Sequence, residues 1–278
     1  MIDRAFSFLR LNQRKSKPRA TGLTEIRGPY YTPLGKRYLE DILESMGEYV
    51  DSLKFAGGSF SLMPRAVLID LIKLCHDHNV LVSTGGFLEY VLTQGSDAVG
   101  KYIDECKSVG FDIIEISCGF ITIPANDWVR LVEKVGSAGM KAKPEIGIQF
   151  GAGGATRAED LEAAGTRDPE WPIRLAQQFL NAGAYLIMIE SEGITENVKT
   201  WRTDVPAKII GTLGLEKVMF EAADPDVFTW YIKNYGPEVN LFVDHSQIVQ
   251  LECVRSGIWG TSDVWGRILT YKDEVNAR

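Results

Sequence analysis

From residue 22 onward, short runs rich in β-branched and aliphatic residues alternate with longer stretches whose apolar residues recur at helical spacing. The β-rich runs are GLTEIR (22–27), VDSLKF (50–55), NVLVST (79–84), FDIIEIS (111–117), MKAKPEI (140–146), AYLIMIE (184–190), KVMFEA (217–222) and VNLFVD (239–244). Helical spacing fills 34–48, 64–78, 95–109, 126–138, 158–182, 204–213, 225–235 and 246–256. Pro64, the Asn126-Asp127 pair and Asp224-Pro225 are start signals, and Gly110, Gly139, Gly183 and Gly236 stand where helices end in a left-handed residue. Eight strands, each followed by a helix, predict one α/β domain with the architecture of a (β/α)8 TIM barrel. The rival, a doubly wound open sheet, calls for a GxGxxG after its first strand and for fewer units.

The chain has 278 residues, 45% of them hydrophobic, which is ample for one large core. The reading is therefore a barrel over 21–270, a basic arm at 1–20 and a tail at 271–278. In the arm, Arg4, Arg10, Arg14, Lys15, Lys17 and Arg19 face only Asp3. A presequence, an oligomerisation arm and a frayed tail all remain open for it. A formal charge of -7 argues against a nucleic-acid partner, and no apolar run approaches the roughly 18 residues of a membrane span. Four widely spaced cysteines form neither a CxxC nor a zinc pattern, so reduced thiols in the cytoplasm are expected.

A barrel builds its site at the carboxyl ends of its strands. Charges gather there: Arg27, Lys54, Glu115, Lys143 with Glu145, Glu190, Glu221 and Asp244, on seven of the eight runs. For any one of them an outward-pointing or purely structural ion pair is as good an account as a role in chemistry. As a set they are costly to bury unless cations neutralise them, and Arg27, Lys54 and Lys143 do so in part. An all-oxygen donor set suits Mg2+ better than zinc.

Two loops, AGGSFS (56–61) and TGGF (84–87), place Gly57, Gly58, Ser59, Gly85 and Gly86 where backbone N–H groups can approach an anion, although Gly-Gly after a strand is also an ordinary tight turn. GAGGAT (151–156) suits a lid, an anion loop or a plain connection. His245, after the eighth run, is the best-placed histidine for acid, base or ligand work, whereas His76 and His78 close a helix. No GxSxG is present and Cys118 lacks an evident partner, which disfavours a nucleophilic hydrolase.

In order along the chain, VDSLKFAGGS, VSTGGFLEYVL, GFDIIEISCGFITIP, KAKPEIG, GAYLIMIESEGI, KVMFEA and VNLFVDHSQIVQLECVRSGIWG resemble the phosphosulfolactate synthase family, which includes the plant heat-stress-associated 32-kilodalton proteins. The likeness runs from about residue 22 to 268. It implies a barrel that adds sulfite to phosphoenolpyruvate with Mg2+, an enediolate-like species forming on the way. On that resemblance, Arg27, Lys54 and the 57–59 and 85–86 glycine loops meet the anionic substrate. Glu115, Glu145, Glu190 and Glu221 compete as metal ligands, and Lys143 or His245 supplies the proton. A homo-oligomer, such as a trimer, is also implied. In the family pattern a lysine follows the strand-five E-x-G, but here the stretch reads EIGIQF, with Gln149 near that place. The segment from Glu216 to Arg255 is nearer the heat-stress branch, so a barrel that has lost the synthase reaction and serves as an interaction protein is the alternative, as is an enzyme with another phosphorylated substrate.

Overall fold

The structure is a computed structural model that describes residues 5–12, 14–153, 156, 157, 159, 160 and 168–271. Each expected β-run contains one strand: β1 Thr24–Arg27, β2 Ser52–Lys54, β3 Leu81–Ser83, β4 Ile113–Ser117, β5 Lys141–Ile146, β6 Ile187–Ile189, β7 Val218–Glu221 and β8 Leu241–Asp244. All neighbours pair in parallel, and β8 returns to β1 through Thr24↔Leu241 to Arg27↔Asp244, so the sheet closes as a TIM barrel. The helices are α1 Lys36–Met46, α2 Arg65–Asp77, α3 Leu88–Leu92, α4 Ala98–Val109, α5 Ala125–Ser137, α6 Glu170–Asn181, α7 Asp204–Leu213, α8 Pro225–Tyr235 and α9 Ile248–Arg255.

Local chemistry accounts for the ends. Pro225 opens α8 while the Asp224 carboxylate accepts the Asp226 N–H at 2.8 Å, and Gly110 closes α4 at φ 105°. In α5, Trp128, Leu131, Val132 and Val135 recur at intervals of three and four and are buried. Of the helix expected over 158–182, residues 159 and 160 are helical and Glu170–Asn181 forms α6, while 158 and 161–167 lie outside the described residues. A 3-10 turn over Ala56–Leu62 occupies the first glycine loop, and the short α3 follows the second.

Strand alternation sends Ile26 to the helix-facing core, and Glu25 and Arg27 inward. The inside of the barrel is split lengthwise. Leu23, Leu186, Met188, Met219 and Phe242 form an apolar cluster on the β6–β8 side. Glu25, Ser52, Lys54, Glu115 and Lys143 are buried on the strands β1 to β5.

The amino-terminal end of the barrel is closed by the basic arm. Arg19 pairs with Asp51 at 2.8 Å, and Lys17 donates to the Gly47 carbonyl at 2.7 Å and the His78 carbonyl at 3.2 Å, at the ends of α1 and α2. Arg255, fully buried, donates to the carbonyls of Gly22, Pro237, Leu23 and Val239. Residues 1–4 and 13 of the arm and 272–278 of the tail lie outside the described residues. No helix among the described residues is long and apolar enough to cross a membrane.

Candidate active site

The charged half of the interior is one continuous chain of alternating sign. At its lower end Ser52 Oγ donates to Glu25 at 3.0 Å, and Glu25 pairs with the Lys143 ammonium. Lys143 also lies 3.0 Å from Glu115, and Glu115 lies 2.8 Å from Lys54. Lys54 reaches Glu145 at 2.6 Å, and Ser117 Oγ donates to that carboxylate at 2.9 Å. The steps follow from the sheet register, which sets Glu115 beside Lys143 and Ser117 beside Glu145. Buried charges of this kind survive only when each meets an opposite charge, as here.

Above the chain opens a cavity of about 820 Å³ at the carboxyl ends of the strands. Lys54, Glu115 and Glu145 form part of its lining, with Arg27, Glu190 and Glu221 in the wall. Arg27 pairs with Glu221. The Glu190 carboxylate accepts the Ser191 N–H at 3.0 Å and has Glu221 within hydrogen-bonding reach. Phe242 lies beneath both cations, 4.6 Å from Lys54 Nζ and 5.2 Å from the Arg27 guanidinium.

The protonation states separate by environment. Burial, then the charges of Glu221 and Glu145, hold Glu190 well above the usual carboxylate range. Burial, then Glu145, raise Glu115 to about 7 against the pull of Lys143 and Lys54. Burial also works against ionisation of Glu145, but Lys54 and the Ser117 hydroxyl outweigh it and hold that carboxyl low. Lys54 is kept charged because Glu115 and Glu145 outweigh its desolvation.

Arg27, Lys54, Gly57, Gly86, Glu115, Glu145, Glu190 and Glu221 line this one cavity. Five expected site residues do not: Lys143, His245, Gly58, Ser59 and Gly85. Lys143, 1% exposed, sits one inward layer below Glu145 and lines a separate cavity at the opposite end of the barrel, which corrects the expectation that it faces the mouth. His245 is also absent from the lining: its Nδ1 meets the Arg27 carbonyl at 2.9 Å and its ring packs edge-on to Tyr38 at 5.4 Å. The cause is local. Asp244 and Gln247 form a capping box that winds residues 245–247 into a 3-10 turn directly after β8.

The glycine loops are braced rather than open. Ser59 Oγ donates to the Pro29 carbonyl at 2.9 Å, and Gly58, at φ 71°, lies so near Phe87 that a Cβ would fall 2.1 Å from its ring. At Gly85 a Cβ would meet the Phe55 carbonyl at 2.6 Å. Gly86 is the functional exception, because its missing side chain leaves room for Ser117 Oγ, 2.2 Å from where a Cβ would be.

Glu25, Ser52 and Ser117 belong to the ion chain without having stood out in the sequence. Each lies two residues from one that did (Arg27, Lys54 and Glu115), and that spacing puts both members of a pair on one strand face.

For a divalent cation, the arrangement offers a pair rather than a cage. Among the described residues no three His, Cys, Asp or Glu side chains converge as a ligand set. Glu115 and Glu145 are turned to lysines, while Glu190 and Glu221 are neighbouring carboxylates on the wall, Glu221 being shared with Arg27. Two carboxylates, with water and substrate oxygens completing the shell, fit Mg2+.

Three kinds of comparison bear on the chain. The family model of (2R)-phospho-3-sulfolactate synthase (ComA) matches residues 12–261. The chain is 42% identical to the Arabidopsis thaliana protein HEAT-STRESS-ASSOCIATED 32 over 259 residues, covering 90% of this chain and 91% of that one. It is 27% identical to the phosphosulfolactate synthase of Methanothermobacter thermautotrophicus over 271 residues, covering 95% and 98% respectively. Among solved structures, 2,3-dimethylmalate lyase, a member of the PEP mutase/isocitrate lyase superfamily, superposes with a TM-score of 0.51 at 13% identity, covering 88% of this chain and 89% of that one. The carboxyl transferase domain of Rhizobium etli pyruvate carboxylase gives 0.54 at 14% identity over 81% of this chain and 40% of that one. These two likenesses are of fold.

Proposed function

Because the chain belongs to the phosphosulfolactate synthase (ComA) family, we propose that its mouth cavity binds phosphoenolpyruvate and adds sulfite to it. The observation that carries the reading is the ion chain that ends in Lys54 and Glu145 on the cavity floor, beside the Glu190–Glu221 pair.

In this reading the sulfite sulfur attacks the methylene carbon, the double-bond electrons move onto the substrate carboxylate, and a proton then reaches the carbon bearing the phosphate. Lys54 and Arg27 are the cations on the cavity wall, held charged by their carboxylate partners, and they orient the substrate's anionic groups. Glu190 and Glu221 would hold Mg2+, which would supply positive charge where negative charge develops on the carboxylate. We give the proton step to Lys54, the one ammonium in the cavity lining among the described residues. Lys143 takes a supporting part: it neutralises Glu115 from below and so keeps that carboxylate from drawing Lys54 away from Glu145. His245 has no part in the proton step in this geometry.

A second reading is favoured by Gln149, which stands near the place of a family lysine, and by the 42% identity with a plant protein named for heat stress. In it the barrel no longer runs the sulfite reaction and works through another substrate or a protein partner.

Phosphorus NMR of the purified protein with phosphoenolpyruvate, sulfite and Mg2+ separates the two. The synthase reading expects a new phosphomonoester resonance that disappears in Glu145→Gln. Its absence with folded wild-type protein would sink that reading.

A further inference from the structure

The barrel holds a second cavity at its foot, of about 630 Å³, and its chemistry is unlike that of the mouth. One side is hydrocarbon: Leu23, Leu186 and Met219, from the apolar cluster of the interior, continue into Leu81 and Ile113. The other side is ionic but already settled. Among the described residues its lining holds three cations, Lys17, Arg19 and Lys143, and three carboxylates, Glu25, Glu48 and Asp51. Lys143 pairs with Glu25, and Arg19 with Asp51 at 2.8 Å and Glu48 at 3.8 Å. Lys17 rests on the carbonyls of Gly47, His78 and Asn79, and His76 is held by Asp112 at 2.9 Å. A charged guest would enter without a counter-ion, or would have to break one of these pairs.

One polar group in the lining is unengaged. The Tyr185 N–H donates to the Ala142 carbonyl at 2.8 Å, and the Tyr185 ring packs against the apolar cluster, its centroid 4.7 Å from the Lys141 ammonium. The side chain is thus fixed, yet its hydroxyl bonds to no described residue and keeps accessible surface. Burial, then the charges of Asp51 and Glu25, push the phenol up to about 12, so it holds its proton. Such a group at the edge of a hydrocarbon wall can both donate to and accept from a ligand.

The basic arm supplies the last wall, through Ser16, Lys17, Pro18 and Arg19. It is bolted in place, since Arg19 also donates to the Glu48 carbonyl at 2.6 Å. Barrel interiors are filled by their own side chains, and a foot that needed only a plug would leave no space of this size beneath it. Its volume and its mixture of apolar wall and one free polar group are those of a small-molecule pocket.

We propose that the foot of the barrel, closed from below by the arm, binds an uncharged small molecule whose hydrocarbon body lies on Leu23, Leu186 and Met219 and whose hydroxyl meets the Tyr185 phenol. The chain from Glu25 through Lys143 and Glu115 to Lys54 separates this site from the mouth. The inference therefore stands whether or not sulfite addition occurs.

Four naphthalenes of one shape test it: 2-naphthalenemethanol, its charged counterparts 2-naphthoate and 2-naphthylmethylamine, and 2-methylnaphthalene, which lacks the hydroxyl. NMR of the full chain with labelled methionine methyl groups reads where they bind. The alcohol should shift the Met219 resonance saturably and leave Met63, which follows the 3-10 turn at the mouth end, in place. Either charged analogue should bind at least ten-fold more weakly. Tyr185→Phe should weaken the alcohol about three-fold or more and leave 2-methylnaphthalene unchanged. Phosphoenolpyruvate should not displace the alcohol. No saturable shift at Met219, equal binding of a charged analogue, indifference of the alcohol to Tyr185→Phe, or displacement by phosphoenolpyruvate would overturn the proposal.

Discussion

The Lys143 ammonium closes on the Glu25 carboxylate across the full width of the barrel, from β5 to the strand four places away, with both side chains out of contact with solvent. Neither charge has water to fall back on, so each depends on the other and on Glu115, 3.0 Å from Lys143.

Lys143→Met should therefore cost about 3–5 kcal/mol, because it strands two carboxylates in the interior. Replacing Glu25 as well, in Glu25→Leu/Lys143→Met, should recover part of that loss. Urea unfolding of the three proteins gives the coupling, and strictly additive losses would contradict it.

The pH dependence follows from Glu115. Its folded value of about 7 lies above the ordinary 4.5, so the native state binds a proton that the unfolded chain has released. Stability from this group is full below about pH 4.5 and falls as the pH rises through 7. Glu145 works in the opposite sense, since its value is lowered; its contribution is present above the ordinary range and lost on acidification. Glu115→Gln should flatten the slope of stability between pH 5 and 7, measured by urea midpoints across that range.

Gly86→Ala should damage the site more than the fold. The added Cβ falls 2.2 Å from Ser117 Oγ, so the hydroxyl must leave Glu145. A stability loss of about 1–3 kcal/mol is expected from the overpacking. Any turnover of phosphoenolpyruvate should fall further than unfolding can explain, as phosphorus NMR on the folded fraction would show.

Arg255→Met should cost about 3–5 kcal/mol, since the guanidinium serves four carbonyls at the foot of the barrel and faces Glu252. Arg255→Lys should recover little, because an ammonium cannot reproduce the planar fork. Equal stability of the Lys variant and the wild type in thermal unfolding would contradict this account.

Mg2+ affinity should fall about ten-fold or more in Glu190→Gln and in Glu221→Gln. In Lys143→Met the change should be small. Calorimetric titration of Mg2+ into each protein checks the contrast.

The barrel was legible in the sequence because period and punctuation agree at every unit, and α7 and α8 match their expected bounds residue for residue. The site was legible as far as charge at the strand ends could show it. Depth was not. Lys143 and Glu145 are two residues apart and point the same way, but one layer of the barrel separates a member of the ion chain's middle from a group at the mouth. His245 was misplaced for a different reason. The turn that aims it at Tyr38 depends on Asp244 and Gln247 capping each other, a detail of backbone direction that residue type alone does not reveal.

The lengthwise division of the interior bears on how such a chain survives its own synthesis. Strands β1 to β5 emerge first, and the concave face they bring is studded with Glu25, Lys54, Glu115 and Lys143 rather than with leucine and valine. A half-built barrel thus shows water a surface that water tolerates, while the greasy wall of Met188, Met219 and Phe242 arrives last, when closure can cover it at once. The ionic seam that is costly in the finished protein is, in the nascent one, a safeguard against clumping.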